Sequence, residues 1–229
     1  MFFNSLLAKL KCKLYPCMDV QDNHSVSLLL KDRPEIAELL NGHDALKRWL
    51  VEQFSGKVTR FPILWDTKEP EDSSIAEHCH PRRNEPAKIR VSRNMSGRDQ
   101  LSGVIFELFN IQNHKGHSRL WKKACNGKIG KQEYSFRSYR LEYIAWKKCR
   151  RFLKKHSSVF STADDSNRVY SEIMFLNSFR DFFATLKGRY SGETYFEKIY
   201  EERIVSFRNK TRDQTSYSEN TEIEDVGHN

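Results

Sequence analysis

Cysteine is scarce and unpatterned in this 229-residue chain: Cys12, Cys17, Cys79, Cys125 and Cys149 are odd in number and form no C-x-x-C pair. That excludes a disulfide framework and points to free thiols in a reducing compartment. Glycine and proline are few, ten and six residues, which excludes collagen-like and linker-dominated chains. No apolar run approaches the roughly 18 to 20 residues that span a bilayer. The opening stretch MFFNSLLAKLKCKLYPCM is interrupted by Lys9, Lys11 and Lys13 and has no charged region ahead of it, so it matches a secretory signal poorly. The expectation is a cytoplasmic chain without a membrane span, with a peripheral amphipathic role for residues 2–14 as a minor alternative. No P-loop, G-x-G-x-x-G or G-x-S-x-G motif is present, so nucleotide binding or serine hydrolysis through those devices is unsupported.

What is present is charge, and it is localised. The chain carries 39 Lys plus Arg against 30 Asp plus Glu, a net of +9, with 38% apolar and 12% aromatic residues. Residues 115–155 hold 14 Lys or Arg and only Glu133 and Glu142 as acids, a net of +12 on one segment. Residues 211–229 carry Arg212 against Asp213, Glu219, Glu222, Glu224 and Asp225, a polar, acidic composition that reads as disordered. Three parts are expected: an N-terminal extension over 1–32, a single mostly helical domain over 33–209, and a disordered acidic tail over 210–229.

Local patterns place the elements. Pro34 opens and Gly42 closes a short helix; Leu46, Trp49, Leu50 and Phe54 set a second, ended by Gly56. Residues 58–65 and 87–91 read as strands, separated by a polar loop over 66–86. Leu101, Val104, Ile105, Leu108, Phe109 and Ile111 form the apolar stripe of a helix over 98–113, with Ser96 as its N-cap and Asp99 near its positive end. Further helices are expected over about 118–125 and 131–156, then, after a loop over 157–166, over the apolar positions from Tyr170 to Leu186 and from Tyr195 to Phe207. The order predicts an α+β fold, predominantly helical with a small sheet.

Phe106-Glu107-Leu108-Phe109-Asn110 sets a carboxylate inside the most apolar helix of the chain. A buried carboxylate needs a partner or a cleft. Glu107 and Asn110 share a helix face that Gly103 and Asn113 extend. One reading pairs Glu107 with Arg140 or a lysine to orient two helices.

A strand ending near Val91, a connection, and a helix carrying GVIFELFN resembles the active-site helix of zincin-like metallopeptidases, whose motif is H-E-x-x-H. In that motif two histidines bind zinc and the Glu is the general base. The resemblance covers about residues 86–156. It implies that Glu107 matches the base and that Glu142, in RLEYIA, matches the third zinc ligand of one branch, with Phe106 and Asn110 at the two histidine positions. Phe106 cannot coordinate a metal and Asn110 offers a neutral carbonyl. The chain therefore resembles degenerate members of unknown function, with FELFN in place of HExxH. The implied fold is a zincin-like core in which Glu107 and Glu142 face one another across two helices.

Two other clusters stay open. His78-Cys79-His80 is the only dense His/Cys group; His78 and His80 are weak metal candidates, to which His114 and His117 would add if the fold brings them near. The basic segment, with Lys147, Lys148, Arg151 and their neighbours interleaved by Trp121, Tyr139 and Trp146, suits an anionic ligand or nucleic acid, single strands included. The first reading is a catalytically inactive binding or scaffold module without a cofactor, using Glu142, Asn110, Asn113, Arg140, Lys147, Lys148 and Arg151 as binding residues and Glu107 as the catalytic candidate. The alternatives are nucleic-acid binding through residues 115–155, and a metal-dependent hydrolase holding zinc through non-standard ligands. Partner identity and oligomeric state are not legible in the sequence.

Overall fold

Apolar residues spaced three and four apart become helices along most of the chain. In a computed structural model, residues 24–70, 76–79, 86–161, 168–189 and 194–210 are described. The acidic residues 211–229, residues 1–23 and His80 lie outside the described residues. The elements run α1 (His24–Asp32), α2 (Pro34–Leu39), α3 (Asp44–Phe54), β1 (Ile63–Trp65), β2 (Ala76–Cys79), β3 (Ala87–Val91), α4 (Gly97–Gln112), α5 (His114–Cys125), α6 (Lys131–Lys155), α7 (Ser157–Phe160), α8 (Arg168–Phe175), α9 (Phe179–Arg189) and α10 (Tyr195–Ile199). A π-helical turn, Tyr200–Val205, follows α10. The fold is α+β and predominantly helical, with one three-stranded sheet. No described helix is long and apolar enough to cross a membrane.

The chain divides into two compact units. The first comprises residues 1–114 and 145–175. Its sheet has the order β1-β3-β2, with β1 parallel and β2 antiparallel to β3. Ala87, Ile89 and Val91 of β3 are fully buried, as are Leu101, Val104, Ile105 and Leu108 of α4. α4 packs on β2 and β3, and α2 and α8 pack on α4. α1 falls in the stretch read as an N-terminal extension and buries Val26 and Leu29. Behind it Arg33, itself buried, bonds through Nη2 to the Val91 carbonyl at 2.9 Å and through Nη1 to Asp32 at 2.5 Å. Asp32 also accepts from Trp65 Nε1 at 3.1 Å, so one ionic cluster ties α1 to β1 and to the end of β3.

The second unit comprises residues 115–144 and 176–229. Its core is aromatic: Tyr139 meets Phe183 and Phe196 edge-on, at centroid distances of 5.4 and 4.8 Å. A buried hydrogen bond joins Ser135 and Thr194 at 3.0 Å, and Thr194 with Glu197 forms the capping box of α10. Tyr200 donates to the Ile129 carbonyl, and Arg208 bonds to the Ala124 carbonyl.

Four expectations are corrected. The strand expected over 58–65 is reduced to Ile63–Trp65, because Gly56 at φ +81° and Arg60 at φ +69° turn the chain before it. The loop expected over 66–86 contains strand β2, held by four residue pairs with β3. The loop expected over 157–166 begins with α7, which buries Val159 and Phe160. The helix expected from Tyr170 to Leu186 is two helices, α8 and α9, the second opened by Ser178, whose hydroxyl accepts from the Asp181 amide at 3.1 Å.

Candidate functional site

Ser96 caps α4, its Oγ accepting from the Asp99 amide at 3.2 Å. Asp99 in turn accepts from the Val169 amide at 2.6 Å, which holds the start of α8 against α4. The helix is thereby fixed at its first turn, and Glu107 stands nearly three turns further on, facing the sheet.

The sheet register decides what Glu107 meets. In an antiparallel pair, directly opposed residues share a face. His78 opposes Ile89 and Ala76 opposes Val91, so His78 lies on the face that α4 covers. Glu77 and Cys79 take the other face, where Arg90 lies 3.8 Å from Glu77 and bonds to Asp66 at 2.8 Å. His78 Nδ1 meets Glu107 Oε2 at 2.5 Å, with the side chains 13% and 8% exposed. The two atoms share one hydrogen bond, whose direction is set by the tautomer of His78. The partner of Glu107 is therefore an edge-strand histidine of its own unit, in place of the Arg140 or lysine expected.

Three further groups surround this pair. Cys149 of α6 is wholly buried, and burial together with the neighbouring Glu107 charge pushes its thiol well above the usual range. Such a thiol is inert as a nucleophile. His114, at the start of α5, is held below its ordinary value by burial and by His78 nearby; its ring meets Phe61 edge-on at 5.6 Å. Asn110, one turn beyond Glu107, is 3% exposed, and its Oδ1 has no hydrogen-bond partner. Asn113 caps the helix end, its amide bonding to the Asn110 carbonyl at 2.9 Å.

The positions that a zinc site would use carry other duties. Phe106 packs edge-on against Trp146 at 5.7 Å, and the Glu107 carboxylate is taken up by His78. One engaged carboxylate, a phenyl ring and a neutral amide do not fit zinc at this motif. Among the described residues no group of three or more His, Cys, Asp or Glu converges as a metal site. Glu142 and Arg140 belong to the second unit, the first half-buried and the second exposed. His117 is also in that unit, stacked on Phe196.

Of the remaining binding candidates, Lys147 and Arg151 are exposed in the first unit, while Lys148 reaches Gln112 Oε1 at 3.4 Å. Sequence reasoning missed the His78–Glu107 pairing and the place of Cys149 beside it. Comparison with family models, curated proteins and solved structures finds no match for the chain.

Proposed function

We propose that this protein is a binding or scaffold module built on a catalytically inactive, zincin-like core. The observation that carries the reading is the bond between His78 and Glu107, which occupies the carboxylate that a peptidase would need for activating water. The order of β3, connection and α4 supports the zincin-like part of the proposal, and the packing of Phe106 on Trp146 supports the inactive part. Glu107 then serves as a strut that fastens the edge strand β2 to α4. The buried Cys149 thiol beside it takes no chemical part.

The test is metal content and proteolysis on one preparation. Protein incubated with zinc and desalted is expected to retain far less than one equivalent and to cleave no casein. Stoichiometric zinc that is lost in Glu142→Ala, together with cleavage lost in Glu107→Gln, would overturn the proposal in favour of a metal-dependent hydrolase.

A further inference from the structure

We propose that the last turns of α6, in the first unit, form a docking surface for the phosphate backbone of a nucleic-acid duplex. This deepens the reading that the chain acts by binding and rests on it. Lys147, Arg151, Lys154 and Lys155 stand at relative positions 0, 4, 7 and 8, which places them on one helix face. All four are exposed. The opposite face, with Ala145, Cys149 and Leu153, is buried, so the basic row is carried by an anchored helix. At 1.5 Å per residue the row extends about 12 Å, long enough to meet several phosphates.

Residues 143–161 contain no carboxylate, so neither the last turns of α6 nor α7 carries an acid beside the row. His156, one residue past the row, is held below its ordinary value by burial first and then by Lys155 and His43.

The choice of occupant follows from what the row lacks. Single strands are gripped by exposed rings on which bases stack. Tyr139 is 2% exposed and Trp146 8%, and Phe152 lies under Trp49 at 4.2 Å. An anionic membrane is gripped by apolar side chains inserted beside the cations, and none of residues 147–158 is an exposed large apolar residue. Charge without rings or an apolar wedge suits a backbone read by charge alone, which is how a duplex is bound without sequence preference.

The experiment measures binding of the full chain to a labelled mixed-sequence DNA duplex of about 20 base pairs by fluorescence anisotropy, across salt. Four phosphate contacts predict a log–log salt slope of about −3 to −4, hence roughly 100-fold weaker binding at 200 mM than at 50 mM salt. The R151Q/K154Q/K155Q variant should keep its unfolding midpoint and flatten the slope to about −1. R151K/K154R/K155R should restore it. K122Q/K123Q/K128Q, which removes the same charge in the second unit, should leave the slope unchanged. A parallel arm with an RNA duplex should give the same slope. Absence of duplex binding at low salt, equal loss in both glutamine variants, tighter binding to a single strand, or preference for phosphatidylserine vesicles would each overturn the inference. None of these results bears on zinc content or casein cleavage, so a failure here is distinguishable from failure of the inactive-module reading.

Discussion

Glu107 shows how one residue is decided by what lies across from it. A carboxylate almost removed from water is costly unless it is hydrogen-bonded, and the His78 bond at 2.5 Å supplies that bond. Removing one partner of such a pair leaves the other buried and uncompensated. Glu107→Ala is therefore expected to lower stability by about 3 kcal/mol, read from urea unfolding, and Glu107→Gln, whose amide can still hydrogen-bond Nδ1, by about 1 kcal/mol. Cys149 makes the complementary case. Its buried thiol should resist iodoacetamide in the native protein at pH 8 and react only under denaturant, as peptide mapping would show; native labelling at Cys149 would contradict the burial. The acid in the apolar helix was legible in the sequence because charge breaks an otherwise regular stripe. Its partner was not, because nothing local to His78 announces that the residue faces α4.

Among the elements, the helices were the most legible. The stripe from Leu101 to Ile111 and the cap at Ser96 are both local, and α4 forms where they point. Ser96→Ala should cost about 1 kcal/mol. Asp99→Ala, which also releases the Val169 amide, should cost more and should speed amide exchange in α8 selectively. The strands were less legible because pairing, not propensity, makes them. Ala76–Cys79 contains no β-branched residue and becomes a strand only through its register with β3. Val58 to Phe61 has strand-forming residues and turns instead. Gly56 stands at φ +81°, and a Cβ there would lie 2.5 Å from the Phe61 carbonyl. Gly56→Ala should therefore lower the unfolding midpoint, by a cost of at least about 2 kcal/mol, whereas Gly42→Ala, at positive φ in open space, should cost less.

At the scale of the whole molecule, the titrating groups bound the pH range of stability. His114 and His156 are held below their ordinary value of 6.5. The unfolded chain then binds more protons than the folded one as pH falls past 6.5, so stability is present above that value and declines below it. Cys149 is raised from 9.0 and Tyr134 from 10.0 to about 12, both by burial. Above pH 9 the unfolded chain loses protons that the folded chain retains, and stability declines again. Urea midpoints at pH 5, 8 and 10.5 should be highest at pH 8; a midpoint that rises toward pH 5 would contradict the assignment. The net charge of +9 also becomes more specific at this scale. The basic segment is divided between the two units, and only its 147–155 part presents a row of cations in the unit that holds Glu107.

The central claim is that Glu107 is a strut held by His78 and not a catalytic base, and a double-mutant cycle on unfolding free energy tests it most directly. Residues kept for catalysis are commonly strained, and their removal tends to stabilise a fold; a strut behaves oppositely. His78→Leu and Glu107→Leu are each expected to destabilise by about 2 to 4 kcal/mol, with the double variant near the wild type. Single variants that are neutral or stabilising, with no coupling between them, would contradict the account.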